Sequence, residues 1–149
     1  MELQQKTKTD TNGLIPPYGG ELKNLIIKDK NLKNDLISKA TYEFECSERN
    51  ACDVELLMVG AFSPLEGFMD ENNYNSVIKN NRNTNGLLFG LPIVFDSNNE
   101  KVKAGETILL TYKKQKIAVL EVSSKWEPDK SLEAELCYGT NSLDHPAVK

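Results

Sequence analysis

Residues 60–69, GAFSPLEGFM, constrain what this protein can fold into more than any other stretch. Three large apolar residues, Phe62, Leu65 and Phe68, stand there among Gly60, Pro64 and Gly67. Surface connections are usually small and polar, because a large apolar side chain gains nothing where water reaches it. This loop is therefore expected to fold back onto the core. Gly60 suits the positive φ that ends a helix, Ser63 precedes a proline and so avoids helical backbone, and Gly67 permits a close backbone pass. A buried loop must also find partners for its own amides, which demands a specific surrounding structure.

Periodicity predicts the elements on either side. Pro16 and Pro17 hold the backbone extended, and Gly19 and Gly20 supply a turn or a close crossing. The helix start and the lysine of a phosphate loop are missing, so the turn reads as structural. Leu22, Leu25 and Ile26 form a short apolar face, and Leu32, Leu36 and Ile37 predict an amphipathic helix over 32–39. Tyr42, Phe44 and Cys46 alternate with polar residues, the pattern of a strand buried on one face. Ser47 is placed to cap a helix over 48–59 that buries Ala51, Val54, Leu57 and Met58 and ends at Gly60.

After the loop, Asp70 or Asn72 can cap a helix carrying Tyr74, Val77 and Ile78, with Gly86 closing the polar turn beyond it. Residues 87–95, LLFGLPIVF, are continuously apolar and predict a strand covered on both faces, with Gly90 and Pro92 marking a bulge or barrel corner. Residues 106–112 and 116–123 read as a hairpin turning at KKQ. Asp129 or Ser131 then caps a helix with Leu132, Ala134, Leu136 and Cys137, closed by Gly139. This order predicts an α+β domain: a small, partly closed, barrel-like sheet, mixed or antiparallel, with flanking helices.

At 149 residues the protein has room for one hydrophobic core. Residues 1–13 lack the apolar stretch of a secretory signal and read as a flexible leader to a domain over 14–149. No apolar run approaches the ~20 residues of a membrane helix. A net charge of −4 argues against a large nucleic-acid footprint, since phosphate binding needs clustered lysine and arginine. Cys46, Cys52 and Cys137 are odd in number and widely spaced, which fits reduced thiols in the cytoplasm. With His145 they would number four zinc ligands, but the short paired spacing of structural zinc sites is missing.

The residues alone present no convincing active site. His145 is the single histidine and precedes a proline, so a local or interdomain contact is expected of it, with Asp144 serving a turn. The run Asn80, Asn81, Arg82, Asn83 reads as a solvated turn, and Trp126, beside Lys125, as packing. Asp53 and Glu55 lie two apart on a helix, point in different directions and are expected to be solvated. No catalytic, cofactor-binding or metal-binding residue is assigned.

Five separated segments carry a family resemblance: PYGGEL, RNACDVELLMVGAFSPLEGFM, NNYNSV, GLLFGLPIVFD and EAELCYGTNSLDHPAV. Together they resemble the amino-terminal domain of ATP sulfurylase, sulfate adenylyltransferase, over residues 14–148. The resemblance implies a PUA-like domain ahead of a catalytic domain, in an enzyme that turns ATP and sulfate into adenylyl sulfate and pyrophosphate with magnesium. It implies that catalytic domain as a partner, and a homo-oligomer for the whole enzyme. The family's catalytic motifs, a glutamine–variable–arginine–asparagine–proline run and two histidines separated by two residues, are missing here. Asn80 and Thr84 depart from the first of them, and Tyr18 stands where the family commonly has histidine. The implied role is structural support and interdomain or subunit contact, through an apolar patch expected at Phe62, Trp126 and the carboxy-terminal segment. Alternatives are a free-standing PUA-like protein that binds RNA or one that regulates a complete sulfurylase.

Overall fold

The computed structural model describes residues 13–97, 100 and 102–148, so most of the leader lies outside the described residues. Among the described residues four helices and three strands run in the order α1 (Lys30–Ser38), β1 (Tyr42–Glu45), α2 (Glu48–Met58), α3 (Glu71–Asn80), β2 (Thr107–Tyr112), β3 (Gln115–Glu121) and α4 (Lys130–Tyr138). The α+β class and the type of each of these elements match the sequence pattern.

Capping explains where the helices begin. Asp29 accepts from the amides of Asn31 and Leu32, Ser47 from Asn50, Asp70 from Asn73 and Asp129 from Leu132. Each cap satisfies amides that a helix leaves unpaired in its first turn. Asp29 starts α1 two residues before the expected Leu32. At the other ends, Asn81 (φ 52°) closes α3 and Gly139 (φ 71°) closes α4 in the left-handed conformation.

The sheet is open among the described residues, with strand order β1-β2-β3. β1 lies parallel to β2, Tyr42 opposite Ile108 and Phe44 opposite Leu110, whereas β2 and β3 are antiparallel. A parallel pair needs a long crossover, and α2, the 60–69 loop and α3 supply it. The sheet is thus mixed, one of the two expected forms, and open among the described residues, since β1 and β3 do not pair. The β2–β3 hairpin turns on Lys113 (φ 49°) and Lys114 (φ 64°), with Tyr112 opposite Gln115. Two positive φ values in a two-residue loop define a type I′ turn, unusual for lysine. The Glu45 carboxylate faces this turn: it accepts from Thr111 Oγ1 at 2.6 Å and from the amides of Lys113 and Lys114.

The predicted strand over 87–95 does not form. Its one ladder contact is an isolated bridge between Arg82 and Leu88. Its backbone groups go to loops instead: Phe89 N–H donates to the Asn81 carbonyl, Leu87 O accepts from Asn83 and Ile93 O from Met69. Leu88 and Leu91 are exposed, so the apolar run is not covered on both faces.

The core gathers Cys46, Val54, Val102, Ile108 and Leu110, with Phe44, Phe68 and Phe95 packed against it. Leu109 and Thr111 are also buried, so β2 is covered on both faces. Tyr74, Val77 and Ile78 are buried from α3, as their spacing predicts. Leu110 is 1% exposed. Leu110→Ala is expected to cost about 2–5 kcal/mol of stability, read as a lower urea midpoint with an unchanged slope.

Candidate functional site

The 60–69 loop is a knot of short hydrogen bonds. Ala61 N–H donates to Leu56 O at 2.8 Å, Gly60 N–H to Leu57 O at 3.1 Å, and Leu65 N–H to Phe62 O at 3.0 Å. Ser63 is buried; its hydroxyl donates to Gly60 O at 2.6 Å and accepts from the Lys23 amide at 3.0 Å. That second bond ties the loop to the irregular segment 13–29, a strap that also donates from Leu25 N–H to Met58 O at 2.9 Å. The Ser63–Pro64 peptide bond is cis.

Two glycines make the crossing possible. A Cβ on Gly60 (φ 82°) would lie 2.8 Å from Leu22 Cδ1 and from Lys23 O, and one on Gly19 (φ 77°) 2.8 Å from Pro64 Cγ. Positive φ and lack of space thus coincide at both positions. Gly67 differs from expectation: a Cβ there would meet nothing within 4 Å. The loop's far end reaches the sheet, with Phe68 5.3 Å from Phe95 and Phe95 5.1 Å from Phe44, ring centroid to centroid. Lys23 Nζ pairs with Glu21 at 2.9 Å and Glu66 at 2.7 Å. Its hydrogen bonds to Glu66 and Glu21 raise the lysine pKa, and Lys23 lowers that of Glu66. These exposed pairs hold register more than they stabilise.

An open groove of about 1320 Å³ runs from the strap and loop to the sheet. Leu25, Ile37, Leu57, Met69 and Val119 line it, beside Lys23 and Glu66, which already pair with each other. Ser123, Glu121, Lys116 and Asp70 add polar groups to the lining.

The other sequence candidates are engaged locally. His145 packs its ring 5.4 Å from Tyr138 and accepts from the Ala147 amide through Nδ1 at 3.3 Å. Asp144 accepts from the Ser142 hydroxyl, and it is Ser142 Oγ that accepts the turn amide of Asp144. Arg82 donates to Gly86 O at 2.8 Å, while Asn83 is buried and accepts from the amides of Asn85 and Leu87. That turn is built rather than merely solvated. Lys125 donates to Val102 O, and Trp126 packs 5.3 Å from Tyr74. Burial, with Glu45 beside Cys46 and Glu133 beside Cys137, pushes both thiols up, away from the thiolate form. Among the described residues no group of three or more His, Cys, Asp and Glu is disposed to hold a metal ion.

Sequence reasoning missed one buried polar tie. Tyr74 OH donates to Glu133 Oε2 at 2.6 Å, joining α3 to α4, and burial with that carboxylate raises the phenol's pKa. The visible signal was an acidic residue in the first turn of α4. The Trp126 indole N–H is buried without a hydrogen-bond partner among the described residues.

Exposed apolar surface concentrates on the strap: Leu14, Ile15 at 90%, Tyr18, Leu22, Ile26 and Ile27. Tyr18 is held there by its hydroxyl, which donates to Leu88 O at 2.9 Å, and by an edge contact with Phe89. Leu132, Leu136 and Leu143 add a second exposed group near the carboxy end. Phe62 and Trp126, expected in such a patch, are instead half-buried; Leu143, at 72% exposure, does lie in the expected carboxy-terminal segment.

The family model for the PUA-like domain matches residues 15–149. This chain belongs to that family. Its relatives include the sulfate adenylyltransferases of Neurospora crassa, 43% identical over 90% of this chain, and Schizosaccharomyces pombe, 41% identical over 85%. The chain spans only 25% and 28% of those two proteins. Among solved structures, a hexameric APS kinase from Thiobacillus denitrificans superposes with a TM-score of 0.68 at 31% identity, covering 78% of this chain and 24% of that one. The resemblance to sulfate adenylyltransferase carried by the five segments is borne out by these relatives.

Two substitutions test the knot and the turn. Ser63→Ala should cost about 1–3 kcal/mol, because it strands the Lys23 amide; urea unfolding reads this. Glu45→Gln probes the hairpin. The Thr111 hydroxyl, with the Lys113 and Lys114 amides, holds the Glu45 carboxyl below its ordinary value of 4.5. Its contribution is therefore present at neutral pH and lost as the pH falls through the folded value. The stability difference from Glu45→Gln should be largest near neutrality and vanish in acid well below 4.5.

Proposed function

We propose that residues 14–149 are the amino-terminal PUA-like domain of a sulfate adenylyltransferase, and that the domain supports and contacts the catalytic domain without itself catalysing. The observation that carries this reading is the apolar strap, fixed in place by Ser63 yet exposed along its outer edge. A domain whose own core is closed has no internal reason to hold Leu14, Ile15, Leu22 and Ile26 in water. Contact surfaces between domains of one polypeptide typically bury about 600–1,500 Å².

The relatives support the parent reaction, the conversion of ATP and sulfate to adenylyl sulfate and pyrophosphate. ATP and magnesium belong to that reaction and would be bound by the catalytic domain. The hexameric neighbour favours a homo-oligomer for the whole protein. Free thiols at Cys46, Cys52 and Cys137 favour a cytoplasmic location. No helix among the described residues is long and apolar enough to cross a membrane.

This chain alone is expected to release no pyrophosphate from ATP, sulfate and magnesium. Mixed with a Neurospora crassa sulfate adenylyltransferase lacking the matching quarter, it should bind and raise pyrophosphate release. The double substitution Leu22→Ser, Ile26→Ser should weaken that binding by about tenfold or more. Turnover by the isolated chain would refute the support role, and unchanged binding by the double variant would refute the strap as the contact.

A further inference from the structure

The exposed pair Asn85–Gly86 lies in the turn between α3 and the 87–95 segment. Asparagine before glycine is chemically labile, because no side chain on the next residue obstructs attack by its backbone nitrogen on the amide. That nitrogen attacks Asn85 Cγ and bonds to it, the bond from Cγ to Nδ2 breaks, and ammonia leaves, its third hydrogen coming from the attacking N–H. Water then opens the succinimide at either carbonyl, giving aspartate or isoaspartate.

In the folded protein the nucleophile is engaged. Gly86 N–H donates to Asn83 O at 2.9 Å. The Asn85 amide donates to Asn83 Oδ1 at 3.1 Å, and the same oxygen accepts from Leu87 at 2.9 Å. Asn83 N–H in turn donates to Leu87 O at 2.9 Å, and Arg82 donates to Gly86 O. Asn83, 4% exposed, is thus the anchor of the whole turn.

We propose that Asn85 is a deamidation site gated by this turn: the exposed asparagine is held unreactive while Asn83 keeps the Gly86 amide bonded, and is converted when the turn opens. Isoaspartate adds a methylene to the backbone inside a turn whose bonds span only residues 82–87. Once formed, it prevents the Asn83 bonds from closing again. The modified residue is then a covalent record of local opening, read independently of any contact with a second domain.

The test is incubation of the intact protein at mildly alkaline pH, followed by peptide mapping for the one-dalton gain at residue 85. The sequence's other Asn–Gly pair, Asn12–Gly13, is quantified separately in the same digest. Conversion at Asn85 is expected to be about tenfold or more slower in the folded protein than in denaturant, as for any reaction that requires local opening. Asn83→Ala keeps the carbonyl that holds Gly86 but removes the side-chain acceptor of the Asn85 and Leu87 amides, so the turn loosens and the folded-state rate should rise toward the denatured one; Asn83→Asp, which keeps Oδ1, should stay slow. Should Asn83→Ala fail to fold, the comparison of folded and denatured unmutated protein still decides. Equal rates in those two states, or no conversion at Asn85 in denaturant, would overturn the proposal.

Discussion

The Ser63 hydroxyl has one hydrogen to give and lone pairs to receive, and the fold uses both. It donates to the carbonyl that ends the turn after α2 and accepts the amide of Lys23 from a strap forty positions earlier. Several other features make sense only with that crossing in place. Gly60 and Gly19 lack side chains where a Cβ would strike Leu22 or Pro64. Lys23 then reaches Glu66 across the seam, and Leu25 completes its backbone bond to Met58. From the other end of the loop, Phe68 carries the packing through Phe95 to Phe44 on the first strand. A short loop thus joins the strap, a helix and the sheet, and it satisfies its buried polar groups while doing so.

Local rules make much of this legible in the residues themselves. Ser47, Asp70, Asp129 and Gly139 act as the caps their chemistry predicts, and the apolar spacing of α2 and α3 buries Val54, Leu57, Tyr74 and Val77. The knot was foreshadowed by the misplaced apolar residues of the loop. Its partner was not, because a serine hydroxyl bonding an amide forty residues away leaves no periodic trace. The 87–95 segment misled for a related reason. Hydrophobic continuity reports burial, not the destination of backbone hydrogen bonds, and here these go to Asn81, Asn83 and Met69. Parallel pairing of β1 with β2 is equally invisible locally, since it depends on how a long crossover packs. The tie from Tyr74 to Glu133 joins elements 59 positions apart and likewise shows only in three dimensions.

These contacts are consistent with the proposed role as a support for a catalytic domain. Several ionisable groups serve the structure: Lys23 bridges two glutamates, Glu45 caps the hairpin, Glu133 receives a phenol, and burial pushes the thiols of Cys46 and Cys137 up. A site for adenylyl transfer would need cations and amides converging on a shared point to spread developing charge. Exposed apolar side chains are most numerous on the strap, with Leu132 and Leu136 adding to them on α4. Surface of that kind gains free energy by leaving water, roughly 25 cal/mol for each Å² covered. The Neurospora crassa relative is about four times longer than the stretch this chain matches.

Amide hydrogen exchange on this protein, alone and bound to the remainder of a sulfate adenylyltransferase, tests that central claim most directly. The account predicts that exchange slows mainly across residues 14–27, with the β2–β3 hairpin tip unchanged. Slowing confined to the hairpin tip, with the strap exchanging as freely as before, would contradict it.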